Sequence, residues 1–494
     1  MMAPQQKVQE QKCADVESGT SSSGGAEFET ASGMDSTSDK SEPMDGGHAN
    51  MLEAGDDFAL DRIPFEARYS WMSLALENWS VGGCISSVLL GVTLGARMTL
   101  QNALLACVLG NVILGAISFA IGSVGCREGL ATAMLCRWSG FGSTGTAVVS
   151  VAIAISLTGW FGIQSAIAGS GLVSLLGGPP SWVWTLIAGA FVTLVSVSGF
   201  RWMVNIAWVT APAFLAAIVW AVARSLTMHS LAELAAMQPK GEPLTLFDGI
   251  GLIVGGFAVG ATVCADMFRF SRSSTGVAAA VLLGRMPALV LYNSAGVLIA
   301  LAYESSDLIA LMRSSVGWGA IIIVVAGELV INATNVYFTG LAVVAFCDTA
   351  LGFQISRRSV TLICGILGST LGAAGLLSHF VDFLCVLSVT FPPIAGILLC
   401  EYCCVRQFRK DLDSTRKSGV LPSEAATWVP TTLVVWLAAS LLGWFIKVGI
   451  PCLYSFFGAA ILYAFAAWCG ALRSCGITHT ERMVKAGKPC GIAQ

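Results

Sequence analysis

Two polar side chains in the middle of a long apolar run are the first candidates for ligand chemistry. Trp160 and Gln164 lie in the sequence SLTGWFGIQ and are four residues apart, so that they share one face of a helix. An indole can stack on a flat heterocycle while a neighbouring amide hydrogen-bonds with the edge of that ring. Tryptophan is common at membrane interfaces, but the mid-run position of Trp160 favours a ligand-binding role.

A second apolar run, GELVINATNVY over 327–337, carries a carboxyl group and two amides. Glu328 and Asn332 are one helical turn apart, and Asn335 follows. Polar groups are costly inside a membrane, so Glu328 is either bonded to a neighbouring helix or a proton carrier that can be neutral or charged. The two amides offer both donors and acceptors, which suits the edge of a nucleobase.

A third candidate segment, GGFAVGATVCADMFRF over 255–270, is rich in glycine. We expect Gly255, Gly256 and Gly260 to let a helix unwind and present peptide groups to a ligand. Phe257, within that break, is then a second aromatic wall opposite the tryptophan. Close packing of small residues against a neighbouring helix is the alternative explanation.

Four further residues are candidates for gating. Asp266 and Arg269 are three apart near the end of their apolar run, where they form either a structural pair or a gate. Pro392 and Pro393 stand in LSVTFPPIAGILLCEY, where they remove backbone hydrogen bonds and kink the helix. A kinked helix beside a binding site can act as a gate, or it can simply be a packing feature.

The composition indicates that membrane helices position these residues. Of 494 residues, 55% are hydrophobic and 12% are charged, whereas a soluble domain is about a quarter charged. A spanning helix needs roughly 20 apolar residues, so the sequence predicts an all-α polytopic membrane protein of about twelve transmembrane helices. The apolar runs lie near 71–97, 101–125, 143–176, 181–199, 203–224, 247–268, 276–302, 316–346, 358–376, 379–401, 427–446 and 450–472.

Several functional classes are excluded by what the sequence contains. The net charge of −3 offers no surface for nucleic acid, and the sixteen cysteines are mostly scattered through apolar segments without a metal-binding pattern. No serine triad, P-loop or H-E-x-x-H motif occurs, so we expect no enzyme, no metal and no cofactor. Energy for transport must then come from an ion gradient, or transport is uncoupled.

The chain ends and the basic residues predict an orientation in the membrane. Residues 1–65 are rich in Ser, Gly and acidic residues without an apolar core, which predicts a disordered acidic tail rather than a signal peptide. Basic residues such as Arg127, Arg137 and Arg201 concentrate in the loops on the side of the termini. Both this tail and the C-terminal tail, 473–494, are therefore expected to be cytoplasmic, in the plasma membrane.

A faint internal repeat is visible at an offset of 173 residues, which relates Gly82-Gly83 to Gly255-Gly256. The same offset takes Trp160 to Ala333, beside Asn332. Five spans separate the members of each pair, so the second copy must be inverted. We expect repeats over 66–225 and 246–402, a last helix pair over 426–472, and broken helices one and six around a central site.

Three separated motifs resemble the cytosine/purine permease family, the nucleobase:cation symporters of the first type. They are TLGARMTLQNALLACVLGNVILG over 93–115, CADMFRFSR over 264–272, and LSVTFPPIAGILLCEY over 387–402. The resemblance runs from about Arg68 to Tyr402. It implies the fold of the leucine transporter, with two inverted five-helix repeats, two additional helices and a ligand between broken spans one and six.

The resemblance also implies site residues. Carried over by position, the stacking and hydrogen-bonding groups are Trp160, Gln164, Phe257 and Asn332. The motif GWFGIQ resembles the hydantoin, uracil and allantoin branches more than the bacterial cytosine branch. The bacterial cytosine branch has a glutamine three residues before its tryptophan, where this chain has Leu157. The motif NATNVY, by contrast, resembles the fungal purine-cytosine permeases.

The coupling ion is predicted from two positions before the span-eight asparagine. Sodium-dependent members of the family have hydroxyl residues there, whereas this chain has Val330 and Ile331, which carry no side-chain oxygen. We therefore expect proton coupling rather than sodium coupling, with Glu328 as the candidate carrier. The predicted function is proton-driven import of nucleobases by alternating access. The alternatives are transport of allantoin, hydantoin, uracil, pyridoxine or thiamine, and a non-transporting nutrient sensor.

Overall fold

The structure, a computed structural model, describes residues 58–305, 320–446 and 448–479, with the backbone alone over 320–325. The predicted N-terminal tail therefore lies outside the described residues up to residue 57, and the predicted C-terminal tail lies outside them from residue 480. The described chain is helical throughout the predicted spans, as the apolar composition requires. Its two short strands, β1 (Glu424–Ala426) and β2 (Ile477–His479), pair antiparallel.

The helices of the first half begin after a 3₁₀ turn at Phe65–Ala67. They are α1 (Trp71–Gly82), α2 (Ile85–Arg97), α3 (Leu100–Glu128), α4 (Thr132–Arg137), α5 (Gly142–Leu176), α6 (Ser181–Val197), α7 (Phe200–Met228) and α8 (Leu231–Ala236). Predicted span one corresponds to α1 with α2, span two to α3, span three to α5, span four to α6 and span five to α7.

The second half repeats this pattern with more interruptions. Its helices are α9 (Leu246–Thr262), α10 (Ala265–Phe268), α11 (Ser274–Ala280), α12 (Met286–Tyr303), α13 (Ala320–Phe346), α14 (Arg357–Ala373), α15 (Phe380–Thr390), α16 (Pro392–Cys400), α17 (Arg409–Thr415), α18 (Pro430–Phe445) and α19 (Pro451–Trp468). π-helical turns at Val281–Arg285, Cys347–Leu351 and Glu401–Val405 extend three of them. Span six is α9 with α10, seven is α11 with α12, eight is α13, nine is α14, ten is α15 with α16, and α18 and α19 are eleven and twelve.

Each of the twelve predicted apolar runs contains a helix, but their lengths differ. Among the described residues, seven helices are long and apolar enough to cross a membrane, and the bent pair α1–α2 makes an eighth candidate. The helices α6, α9 and α18 are apolar but shorter. The all-α polytopic fold is thus confirmed, whereas the count of twelve spans stays a prediction.

The packing of the spans follows the symmetry expected of two repeats. If spans one, two, three and five are exchanged with spans six, seven, eight and ten, the contact of α2 with α12 becomes the contact of α9 with α3. The same exchange turns the contact of α1 with α7 into the contact of α9 with α15. It leaves the contact of α5 with α13 unchanged. Spans three and eight therefore lie side by side at the centre of the bundle.

The first span is broken where the glycine pair predicts it. Helix α1 ends at Gly82, α2 begins at Ile85, and the two are bent by 53°. A Cβ on Gly83 would lie 2.9 Å from the Trp79 carbonyl oxygen and 3.0 Å from Phe214. Only glycine can occupy this position without displacing its neighbours, so the break and its packing depend on the same residue.

The break in the sixth span is present but displaced from its predicted position. Helix α9 continues through Gly255, Gly256 and Gly260, and the interruption lies at Val263–Cys264. The prediction that these glycines unwind the helix was wrong. A Cβ on Gly255 would approach Cβ of Ser388 to 3.1 Å, and one on Gly256 would be 2.7 Å from Leu90 Cδ2. These two glycines therefore serve close helix packing, the alternative explanation.

The contact between α2 and α12 predicts a position that cannot accept a side chain. A Cβ on Gly91 would lie 1.9 Å from the Asn293 carbonyl oxygen. We expect Gly91→Ala to force the helices apart and to destabilise the protein by about 1–3 kcal/mol, the usual cost of overpacking. The measurement is the melting temperature of the purified protein in detergent.

The matched control for this substitution is Gly251→Ala in α9. There the nearest atom to a new Cβ is Pro451 Cδ at 3.9 Å, an ordinary contact. Alanine favours a helix over glycine by about 1 kcal/mol at both positions, so Gly251→Ala should melt no lower than the parent. Equal melting temperatures for the two variants would show that the predicted crowding at Gly91 does not exist.

Candidate functional site

A cavity lies between spans one, two, three, six, seven, eight and ten, where both broken helices meet. Its empty volume, counted out to its mouth, is about 770 Å³. Small-molecule sites usually have apolar walls and a few polar groups that orient the ligand. This cavity has that composition, because aromatic and aliphatic side chains alternate with four amide side chains and one guanidinium.

Aromatic side chains from two helices form part of the wall. Trp160 of α5 lines the cavity and is 8% exposed. Its indole is held edge-to-face by Phe380 and Phe383 of α15, with ring centroids 6.0 and 5.6 Å apart. Phe257 of α9 lines the cavity as well. These contacts restrict the indole to one orientation, which leaves a rigid apolar surface for a planar ligand.

Amide groups supply the polar part of the lining. Gln164 donates from Nε2 to Ser86 Oγ at 2.9 Å, and its Oε1 has no hydrogen-bond partner among the described residues. Asn111 donates to Asn293 Oδ1 at 2.9 Å, and the Asn111 Oδ1 is likewise without a partner there. Two buried acceptors therefore remain available to N–H groups of a ligand.

Asn111 and Asn293 are site residues that the sequence analysis missed. Both lie within predicted apolar runs, and Asn293 is fixed by a 2.8 Å bond from its Nδ2 to the Ser87 carbonyl oxygen. The rule that selected the other candidates, a polar side chain inside an apolar run, could have found them. What the sequence does not show is that their two helices face the same cavity.

The two span-eight asparagines have different surroundings. Asn335 lines the cavity. Asn332 is not among the lining residues, since its Nδ2 donates to Ser165 Oγ at 3.0 Å and to the Phe161 carbonyl oxygen at 3.3 Å. Asn332 thus joins span eight to span three. Both asparagines were predicted to bind substrate, and the structure places only Asn335 in position to do so.

Glu328 lies at the break in span one rather than in the cavity lining. Its Oε1 accepts a 3.1 Å hydrogen bond from the backbone N–H of Ile85, the first residue of α2. The carboxyl group therefore caps the exposed N–H groups of a helix end, an arrangement that stabilises negative charge. Its Oε2 is buried without a hydrogen-bond partner in the described part of the chain.

A buried arginine is a further lining residue that the sequence analysis did not select. Arg285 ends the π-helical turn of span seven, is 3% exposed and lines the cavity. Its guanidinium lies 5.3 Å from the centroid of the Phe257 ring. π-Helical turns are frequent at functional sites because the extra residue reorients a side chain. Arg285 interrupts an apolar run, and that interruption was the available signal.

The predicted gating residues lie at the ends and breaks of helices. Asp266 accepts a 2.5 Å hydrogen bond from the Thr132 N–H, whereas Arg269 donates to the Asp266 backbone oxygen and to the Phe58 carbonyl oxygen. This pair therefore ties α10 to the start of α4 and to the segment before α1. These hydrogen bonds stabilise the observed structure, and a gate that opened here would have to break them.

Pro392 and Pro393 begin α16 directly after the break at Phe391, as their lack of an N–H group requires. Two side chains bond to carbonyl oxygens at this break. The Trp436 indole N–H donates to the Thr390 oxygen at 2.7 Å, and the Thr262 hydroxyl donates to the Phe391 oxygen at 3.4 Å. The kink is thus held by neighbouring helices.

A buried ionic network lies at the end of the bundle at which α1 begins. Glu128, at the end of α3, accepts from Arg62 at 2.9 Å, from Arg416 at 2.6 Å and from the Tyr402 hydroxyl at 2.5 Å. Arg416 also pairs with Asp413. Partial burial disfavours the charge of Asp413, but this partner keeps its pKa below the ordinary value. The network joins the segment before α1 to spans two and ten.

The comparisons with known proteins agree with this fold. A family model described as a permease for cytosine/purines, uracil, thiamine and allantoin matches residues 64–470, and the chain belongs to this family. It is therefore a multi-pass membrane transport protein of the nucleobase permease type and not an enzyme. Over 380 residues it is 26% identical to the cytosine permease of Escherichia coli K12, which covers 75% of this chain and 86% of that relative.

Solved structures share its fold. Mhp1, a nucleobase-cation-symport-1 family transporter in a closed conformation with bromovinylhydantoin bound, superposes with a TM-score of 0.72 at 18% identity, over 84% of this chain and 95% of that one. A Na⁺-coupled sialic acid symporter, outward-open and substrate-bound, gives 0.61 at 11% identity, over 87% and 97%. The fold of the leucine-transporter type, which the resemblance implied, is confirmed.

The ionic network around Glu128 yields a prediction for stability. Glu128→Gln leaves Arg62 without its buried counter-charge, and loss of one member of a buried pair typically costs about 3–5 kcal/mol. We expect a clear fall in melting temperature. Arg62→Gln should lower it less, because Arg416 still neutralises Glu128, and the double variant should melt no lower than Glu128→Gln.

The matched control is Glu304→Gln, which removes one member of the exposed Lys240–Glu304 pair, with side chains 70% and 51% exposed. Exposed pairs contribute about 0–1 kcal/mol, so this variant should melt like the parent. Additive effects of Arg62→Gln and Glu128→Gln would contradict a shared network.

Proposed function

We propose that this protein imports nucleobases, of purine or cytosine type, by alternating access and in symport with protons. The observation that carries the proposal is the cavity at the break in span one, with aromatic walls from Trp160 and Phe257 and amide groups between them. We further propose that both termini are cytoplasmic and that the protein acts in the plasma membrane. The relative in Escherichia coli K12, a cytosine permease, supports the substrate class.

The shape and polarity of the cavity support a planar, hydrogen-bonding substrate. A nucleobase stacked on the Trp160 indole would place its edge among Gln164, Asn111 and Asn335. The free amide oxygens of Gln164 and Asn111 would accept its N–H groups, and the Asn335 amide could donate or accept. Stacking gives affinity for any flat ring, so the amides would decide which ring is selected.

Alternating access requires one end of the cavity to open while the other is closed. The network of Arg62, Glu128 and Arg416 joins spans two and ten at the end where α1 begins, so it would have to separate before substrate could leave there. A substrate shifts such an equilibrium only by its difference in affinity for the two states. We propose that stacking on Trp160, which is braced by span ten, supplies that difference.

The residues before Asn332 support coupling to protons rather than to sodium. Val330 and Ile331 are buried and provide no side-chain oxygen, and hard cations such as Na⁺ prefer oxygen ligands. Glu328, the predicted proton carrier, is buried at the break in span one and has one carboxyl oxygen without a partner among the described residues. Among the described residues, Glu328 and Glu77 are the buried carboxyl groups that lie on or beside span one.

Transport of another small heterocycle is the second candidate, supported by the structural neighbour with bromovinylhydantoin bound. The test is uptake of labelled nucleobases into cells that lack their own nucleobase transporters, with competition by purines, cytosine, uracil, allantoin, hydantoin, pyridoxine and thiamine. We expect competition by nucleobases, uptake that persists when choline replaces Na⁺, and loss of accumulation with a protonophore.

Two outcomes would contradict this proposal. Loss of uptake only in choline would establish sodium coupling. Saturable binding without any accumulation would make the protein a sensor rather than a transporter. The control is the same cells carrying Trp160→Ala, in which the stacking surface is absent and uptake should fall to background.

The different positions of the two span-eight asparagines lead to a further prediction. Asn335→Ala removes one hydrogen bond to the substrate, worth roughly 1 kcal/mol, and should raise KM for uptake about three- to tenfold. Asn332→Ala should leave KM unchanged and lower the melting temperature, because it breaks the bonds to Ser165 and Phe161. A raised KM for Asn332→Ala alone would reverse this assignment.

A further inference from the structure

A buried pair of opposite charge lies beside the cavity and has no role in the binding scheme above. Glu77 of α1 is 0% exposed, and neither of its carboxyl oxygens has a hydrogen-bond partner within the described part of the chain. Arg285 of span seven is buried as well and lines the cavity. The two groups interact electrostatically. Such groups are expensive in a membrane and call for a functional explanation.

Neutral acceptors hold the Arg285 guanidinium in place. Its Nε donates to Asn78 Oδ1 at 2.8 Å, and its Nη1 donates to Ser118 Oγ at 3.0 Å and to the Gly260 carbonyl oxygen at 3.2 Å. None of these three acceptors carries a charge. The hydrogen bonds therefore orient the guanidinium towards the cavity without neutralising it, close to the Phe257 ring.

The surroundings of Glu77 favour its protonated form. An ionised carboxylate without hydrogen bonds is strongly disfavoured in a protein interior, whereas a neutral carboxyl group costs far less. When Glu77 is protonated, Arg285 is an uncompensated positive charge at the cavity wall. When Glu77 is ionised, it neutralises Arg285. The charge that the cavity presents to a ligand therefore depends on one proton.

Few other groups can alter this charge. From the helices packed against α1, span five presents the neutral hydroxyl of Thr210, and span six presents the Cys264 thiol, which interacts with Arg285. Glu328 of span eight lies beyond the break in span one, where it caps α2. Arg285 is thus the charged side chain that acts on Glu77.

We propose that Glu77 binds the transported proton and that Arg285 receives a carbonyl oxygen or a deprotonated ring nitrogen of the substrate. A proton on Glu77 and negative charge on the substrate then stabilise each other, so that the two bind together. The preferred substrate class is an oxygen-substituted, partly anionic heterocycle such as an oxopurine. This inference rests on the proposed transport function and names its substrate class and its proton site.

The transport test uses the full-length protein reconstituted in liposomes, with labelled xanthine as the oxopurine and labelled adenine as the aminopurine. In the parent, xanthine binding at a given concentration of its anion should strengthen as the pH falls. Glu77→Gln should bind xanthine independently of pH and catalyse exchange, but should lose accumulation in a proton gradient. Glu401→Gln is the matched control, a buried carboxyl outside the cavity lining whose substitution should keep the pH dependence. Glu328→Gln tests the other candidate carrier, and loss of the pH dependence there with its retention in Glu77→Gln would overturn the proposal.

Arg285 is tested by its preference between the two purines. Arg285→Gln should lose roughly tenfold or more of the preference for xanthine over adenine, within the usual range of coupling between linked sites. Arg285→Lys, which keeps the charge, should retain part of that preference. A Glu77→Gln variant with the pH dependence of the parent, or an unchanged preference in Arg285→Gln, would overturn the proposal.

A spectroscopic measurement separates this inference from the proposed function. The carboxyl C=O stretch of protonated Glu77 should appear in the infrared difference spectrum between the reconstituted parent and Glu77→Gln. A difference spectrum without this band would refute a protonated Glu77, whatever the protein transports. If the parent neither binds nor transports any nucleobase, the proposed function fails, and this band still decides the protonation of Glu77.

Discussion

The constraint on which this structure depends is that a bilayer offers no water to peptide groups that lack an internal partner. Helices meet that constraint everywhere except at their breaks, and breaks are tolerated only where protein groups or a cavity take over the bonds. The breaks in spans one and ten follow that rule. At the break in span one the Glu328 carboxyl accepts from Ile85, and at the break in span ten Trp436 and Thr262 bond to the backbone oxygens.

These substitute bonds explain why the site lies where it does. The helices that end inside the bundle turn their polar ends towards one region, and the side chains around that region become the lining. Aromatic rings fill the apolar part, while amides and a guanidinium face the remaining space. The cavity therefore lies where the helices are broken.

The buried carboxyl groups also differ in the partners that the structure gives them. At the end where α1 begins, Glu128 accepts from two arginines and a tyrosine, and these bonds join spans two and ten. Beside the cavity, neither carboxyl oxygen of Glu77 has a hydrogen-bond partner among the described residues, and Arg285 interacts with it electrostatically. A satisfied network stabilises one conformation, whereas an unsatisfied carboxyl group responds to protons.

The sequence by itself determined the membrane character, the helical fold, the family, the break in span one and the aromatic part of the site. Each follows from local chemistry: hydrophobic length, a glycine pair, or a tryptophan and an amide one turn apart. Only the tertiary structure decided that Gly255 and Gly256 pack rather than unwind, that Asn335 and not Asn332 faces the cavity, and that Arg285 belongs to the lining. Which face of a helix meets a neighbour depends on how the two helices are rotated and packed against each other. The spacing of residues along one apolar segment does not determine that packing.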